Sequence, residues 1–476
     1  MHYPWWYVPG LTAPMLIALV ATFHVFVSMY AVGGGIFLAA ETSYAYKINN
    51  KLLLEYLRSH ALFFILITVV FGAITGVGIW WTIGLTSPLA TESLIHIFVF
   101  AWAMEYVFFI LEIISAFIFY YYWGRLDSKT HMRIGWIYAI SAWISLALIT
   151  GITSFQLDIG NWTPEKGMWA AFFNPQTFPQ ILARTGASLM LAALYVFLHS
   201  SFKLSADIPL KNLTGTRASR WGMTGAILVT FGGSWWYLAL PESGKAALTA
   251  ASALNVLTLI IFASSIVVFF MLYLGPYRNP DWISPGFAIM FFLLGIAATG
   301  TGEFIRESTR KPYIIYNYVL GNNILVSEVP TLQSTGYLNG GIWTKAFIKA
   351  HYPQVIDKKG NIDNRKLVQL SDKDQEKVGE VIFQYHCNDC HSQQGFSGVS
   401  DLTRGWSEDM IKTVIIHLDA AHFFMPPWSG TEQEAAVLAR YLKSLSLPHP
   451  SGMRYSSVNF INHDLSFKNE KRGYQR

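Results

Sequence analysis

Apolar residues in this chain come in long runs up to about Phe304, and then the runs stop. Eight stretches read as membrane-spanning helices, at approximately 11–41, 60–83, 93–123, 132–156, 180–203, 219–241, 250–274 and 284–304. Each supplies the ~20 residues that cross a hydrocarbon core at ~1.5 Å rise per residue. After Arg306 the pattern changes. Residues 311–370 are polar with scattered Gly, Pro and Asn, and read as a connector. From Ser371 a compact unit begins. DKDQEKVGEVIFQYH reads as an amphipathic helix with Ser371 as its N-cap, and EQEAAVLARYLKSL as the helix that closes the unit. The pattern predicts an all-α protein: a polytopic transmembrane bundle of about eight spans (1–310), the connector, a small helical domain (371–450) and a polar C-terminal tail (451–476).

Composition agrees with that division. Hydrophobic residues make up 53% and charged residues only 13%, too few charges for a soluble domain of this length. The net charge of +5 is modest, and no Lys/Arg cluster is dense enough to bind nucleic acid. The basic residues instead read as topology. Lys47, Lys51, Arg58, Arg125, Lys129, Arg133, Lys203, Lys211, Arg217, Arg220 and Arg278 fall after the first, third, fifth and seventh spans, against only Lys166 and Lys245 after the second, fourth and sixth. The positive-inside rule then puts the N-terminus and everything after span 8 outside the cytoplasm. The first stretch lacks a basic n-region and a small-residue cleavage site, so its helix reads as an uncleaved insertion signal.

The only two cysteines lie in the polar domain, in Cys387-Asn388-Asp389-Cys390-His391. C-x-x-C-H marks covalent attachment of haem c: two thiols on one helical turn reach the two vinyl groups, and the histidine binds iron. The alternative is a dithiol or disulfide beside an incidental histidine. The unit from Ser371 to Leu445 resembles a class I cytochrome c domain throughout. That resemblance implies Met425, in FFMPPWSG, as the second axial ligand opposite His391. A Met/His pair gives a raised potential suited to electron transfer.

Ionisable residues at bilayer depth point to function. These are His24 in span 1, Glu105 and Glu112 in span 3, Arg184 in span 5, and Glu303, Arg306, Glu307 and Arg310 at the outer end of span 8. His60, His96 and His199 lie nearer span ends, where solvated or capping roles are expected. Counted from the start of each run, His24 and Glu105 reach similar depths, and Glu112 lies ~10 Å deeper on the same face. A histidine opposite a carboxylate suits haem iron, and a second carboxylate suits a proton relay. Hydrogen bonds between helices are the plain alternative.

Four patches of the membrane part resemble subunit I of cytochrome bd quinol oxidases. FHVFVSMYAVGGGIFLAAE is similar to that family's first helix, which implies His24 as a haem ligand. SPLATESL with EYVFFILEIISAFIFYYYWGRLD is similar to its third helix, which implies Glu105 and Glu112 near the haems, with Glu92 competing for the first place. EFIRESTRKPYII resembles E-x-x-R-Q-P-W, which implies Glu307 as a haem ligand and Arg310 beside haem propionates, with Lys311 and Tyr313 replacing Gln and Trp. The chain also departs from the family. ILARTGAS offers Arg184 where the family has a haem-ligating histidine. PESGKAALTA stands where a long quinol loop is found, and the cytochrome c domain takes the place of a ninth helix.

The resemblance implies one haem c, one or two haems of b or d type in the bundle, and a location in the bacterial inner membrane with the cytochrome c domain on the periplasmic side. The partners expected are membrane lipid, a second membrane subunit and a periplasmic cytochrome or other redox protein. The leading expectation is a bd-like oxygen reductase fed by cytochrome c instead of quinol, with protons passing through Glu112 and Glu105. The alternatives are a non-catalytic electron-transfer or anchor subunit and a scaffold without membrane haems.

Overall fold

The structure is a computed structural model that describes Trp6, Val8 and residues 10–446. The expected tail, 451–476, lies outside the described residues. The long helices are α1 (Ala13–Lys47), α2 (Lys51–Thr86), α3 (Val99–Tyr121), α4 (Ser128–Ser154), α5 (Thr177–Lys203), α6 (Ile208–Leu238), α7 (Ser252–Leu272) and α8 (Pro285–Arg310). Polar residues at the edges of the apolar runs start them. Thr12, Asn50, Asp127, Asp207 and Ser284 each accept a backbone N–H in the first turn of α1, α2, α4, α6 and α8. These caps satisfy donors that have no partner inside the helix.

Seven described helices are long and apolar enough to cross a membrane, and α6 makes an eighth together with Glu242–Ala250, bent from it by 106°. Phe100, Tyr106, Phe231, Leu259 and Leu293 point outward and are exposed, as lipid-facing side chains are. The protein is a multi-pass membrane protein. α1 packs against α2, α4, α5 and α8. At Gly33 a Cβ would collide with the carbonyl oxygen of Ser188, so α1 and α5 meet backbone to backbone. Gly186 and Gly225 bring α5 and α6 similarly close. Bundles in lipid pack through such small residues.

Two boundaries differ from the hydropathy pattern. The third run breaks at Phe98 into Pro88–Ile97 and α3. Glu105 is therefore six residues into its helix, about 9 Å of rise, and the depth counted for a continuous helix does not apply. α6 begins well before its apolar run, so Lys211, Arg217 and Arg220 lie on a helix instead of in a loop. The extension tolerates Arg217 because it is paired. Its guanidinium donates to Glu41, which is 2% exposed and also accepts from Trp221 Nε1 at 2.9 Å.

The C-terminal domain is built on α9 (Asp372–Ile382), capped by Ser371, and α10 (Glu432–Leu445). Val378, Ile382, Phe383 and Leu438 form its core. Leu338, Ile348 and Leu367 are buried in that same core, so it reaches back into the segment expected to connect the domains. Glu434 ties the two parts together. Its carboxylate accepts backbone N–H groups from Tyr337 at 2.9 Å, Leu338 at 2.8 Å and Thr431 at 2.8 Å. Removing a buried acceptor leaves its donors unsatisfied, at ~1–3 kcal/mol each. Glu434→Ala is expected to destabilise the C-terminal domain by about 3 kcal/mol or more, as an earlier midpoint in denaturant titrations followed by the C-terminal domain's absorbance.

Candidate functional site

The C-x-x-C-H motif occupies one continuous turn. α9 passes into a π turn, Phe383–Cys387, and the backbone N–H groups of Cys390 and His391 both donate to Cys387 O, at 3.1 and 3.0 Å. Both cysteines are free. Burial pushes the Cys387 thiol up to about 12 and raises Cys390 as well. His391 Nδ1 lies 3.0 Å from the carbonyl of Ser397. A carbonyl only accepts, so Nδ1 carries the proton and the Nε2 lone pair is left free. Burial holds His391 below the usual histidine range, which keeps the ring neutral as an iron ligand must be. Met425 is half-buried. Its segment folds back onto the motif, since Trp428 packs against the His386 ring at 4.7 Å between centroids.

The second group of residues ends α8. Arg306 Nε donates to Glu303 at 2.9 Å, Arg310 is paired with Glu307, and Lys311 Nζ lies 3.5 Å from Glu307 Oε1. Arg310 is buried, and its Nε has no hydrogen-bond partner among the described residues. An unsatisfied buried guanidinium donor beside a carboxylate suits an anionic group such as a haem propionate.

His24 faces α2 just past its π turn, Leu66–Phe71. Its Nδ1 is 3.3 Å from Thr75 Oγ1, whose own proton goes to Phe71 O or Gly72 O at 3.0 and 3.1 Å. Thr75 therefore accepts from Nδ1–H, which frees Nε2 of His24 for a ligand. Glu105 accepts from Ser145 Oγ at 2.8 Å, and Ser145 is also within hydrogen-bonding reach of Glu112. Glu92 is exposed on the separate helix Pro88–Ile97. Arg184 donates to Thr150 and Gln180, both at 3.3 Å. A guanidinium has no lone pair to offer iron.

These two regions meet. Lys311 Nζ is 3.3 Å from Cys390 Sγ. Asn323 donates to Asp389 and Asn322 lies 3.4 Å from His386 Nε2, so the loop after the short hairpin of Tyr313–Ile315 and Val319–Leu320 cradles the motif. Phe424, beside Met425, packs on Leu157, Leu240, Leu248, Leu254 and Ile305 of the bundle. Phe396 N–H donates to Gly10 O at 3.0 Å.

One cluster leaves no trace in the hydropathy pattern. His60, expected near solvent, is 0% exposed. Its Nε2 lies 3.2 Å from Tyr30 Oη and its Nδ1 3.2 Å from His199 Nδ1. The span end that hydropathy assigns to it is interior, because α2 starts at Lys51. The cluster joins α1, α2 and α5. A His on the α5-facing side of α2, seen only once α2 is lengthened, is the signal that would have found it.

Residues 13–255 match the family model for cytochrome bd terminal oxidase subunit I, and residues 374–442 match that for cytochrome C oxidase, cbb3-type, subunit III. His24, Glu105 and Glu112 fall inside the first match, whereas Glu307 and Arg310 lie beyond it. Among solved structures the chain is similar to the bd oxidase from Geobacillus thermodenitrificans, with a TM-score of 0.52 over 64% of this chain and 89% of that one, at 16% identity. That likeness speaks to the fold. A search of curated protein sequences gives no match.

His60→Ala removes both partners' hydrogen bonds and opens a cavity, and is expected to destabilise the bundle by about 3 kcal/mol or more. Thermal unfolding in detergent should show the loss, while the absorbance of the C-terminal domain stays unchanged.

Proposed function

The chain belongs to the cytochrome bd terminal oxidase subunit I family, and on that footing we propose that it is an oxygen reductase which takes its electrons through haem c instead of from quinol. Its bd-type bundle and cytochrome c domain make it a respiratory haem electron-transfer protein. The observation that carries the finer reading is the junction between the two. The C-x-x-C-H turn touches the charged end of α8 through Lys311, and Phe424 covers the short α6–α7 connection where quinol-using relatives carry a long loop.

The free Nε2 of His24 and of His391, and the Nε of the buried Arg310, unpartnered among the described residues, support assigning haem to these residues. Cys387 and Cys390 would attach haem c, and His391 and Met425 would hold its iron. His24 and Glu307 would hold haem in the bundle, one or two of b or d type, and the buried Arg310 guanidinium would pair with an anionic edge of it. When bound, these haems supply one-electron transfer and, in the bundle, reduction of oxygen to water. Thr75 holds the His24 ring in the tautomer that frees Nε2. Ser397 does the same for His391. Glu112 and Glu105 hold and pass protons, with the Ser145 hydroxyl between them. The cytochrome c domain faces the periplasm, where a soluble redox protein reduces it, and a second membrane subunit covers part of the exposed apolar surface. Arg184 favours a second reading, a non-catalytic electron-transfer subunit, because the position offers no iron ligand where relatives have one.

Purified protein is expected to consume oxygen with a reduced cytochrome c as donor and to yield both covalent and extractable haem. His24→Ala should keep the covalent haem, lose extractable haem and abolish oxygen uptake. Extractable haem with no oxygen uptake from any donor would select the electron-transfer subunit instead. Glu112→Gln should retain both haems and slow turnover about 100-fold, as the loss of a proton-transfer group does.

A further inference from the structure

The charges at the end of α8 do not cancel. Glu303 and Glu307 are answered by Arg306 and Arg310, and Lys311 adds a third cation to that end of the helix, within electrostatic reach of Asp389 in the motif. Its ammonium reaches in two directions, 3.5 Å to Glu307 Oε1 and 3.3 Å to Cys390 Sγ. It is only 15% exposed, so water screens it weakly. Its place at the C-terminus of α8 also favours a positive charge. Backbone geometry keeps the space open. Gly321 N–H donates to Pro312 O at 2.8 Å, folding the chain back beside Lys311. A Cβ at Gly321 would sit 3.2 Å from Pro312 O and 3.8 Å from both Cys390 Sγ and Lys311 Nζ. One side chain thus bridges Glu307 and the C-x-x-C-H turn.

We propose that Lys311 is a positioning residue that sets the reduction potentials of haem c and of the Glu307-ligated haem together, as one cation shared between a thioether edge and an iron-ligating carboxylate. The proposal rests on the reading of the preceding subsection, that Cys390 carries haem c and Glu307 a haem in the bundle. Adding an electron to either site lowers its charge by one unit. A nearby fixed cation favours that reduced form at both. Glu307 alone would act the other way, as a negative ligand, and Lys311 tempers it.

The test is a potentiometric titration of the purified full chain, with haem c and the non-covalent haem followed separately by absorbance. In Lys311→Met both midpoint potentials should fall, each by about a tenfold change in the reduction equilibrium constant, which is 59 mV for one electron. Lys311→Arg keeps the charge and should restore both. If Lys311→Met does not accumulate, Lys311→Gln carries the same expectation. The proposal is overturned if either potential stays at the wild-type value in the neutral variants, or if Lys311→Arg falls as far as Lys311→Met. Failure of the underlying reading looks different: the wild-type protein itself would contain covalent haem alone, which a haemochrome count reveals before any variant is titrated.

Discussion

Carboxylates and guanidinium groups are costly at the edge of a hydrocarbon layer unless each meets an opposite charge, and the last turn of α8 meets that demand within a few residues of itself. Glu303, Arg306, Glu307 and Arg310 pair along one helical face. Because they pair locally, α8 can end in a charged, largely buried cap and still emerge from the bundle. The seat of the C-terminal domain depends on that cap. Lys311 is its first residue past the helix, and it points at Cys390, 79 positions further along the chain.

The cap and the C-x-x-C-H turn are therefore two sides of one junction. The hairpin at Tyr313–Ile315 and Val319–Leu320 returns the chain at once, and Asn322 and Asn323 reach the motif from the loop behind it. Glu434 then fastens Tyr337 and Leu338 to α10. Phe424 seats the Met425 segment on Leu240 and Leu248 at the α6–α7 connection. These separate contacts hold the cytochrome c domain in place, since its motif cannot drift from the end of α8 without breaking them.

Much of this is legible in the amino-acid pattern, and the reasons for the rest are physical. Apolar runs reveal spans because lipid imposes a minimum length, and C-x-x-C-H reveals its chemistry because two vinyl groups and one iron dictate spacing. Hydropathy cannot see where a helix ends once paired charges extend it, so it puts Arg217 in a loop although Glu41 holds that residue on α6. The same blindness leaves His60 near a surface that α2 carries it away from. The break at Phe98 falls inside the apolar stretch Ile97–Ala101 and has no Gly or Pro to mark it. The core shared by Leu338, Ile348 and Val378 is invisible to composition, because a polar segment needs only a few apolar anchors to join a neighbouring domain. Contacts such as Lys311 with Cys390 belong to the fold and to no local pattern.

The most direct measurement of the central claim is stopped-flow reduction of the protein by a small soluble cytochrome donor, with the two haem populations resolved by wavelength. The account predicts that haem c is reduced first, that the bundle haem follows at the rate haem c is reoxidised, and that Cys387→Ser with Cys390→Ser abolishes the second phase while leaving the bundle haem in place. Reduction of the bundle haem at an unchanged rate in that double variant would contradict it.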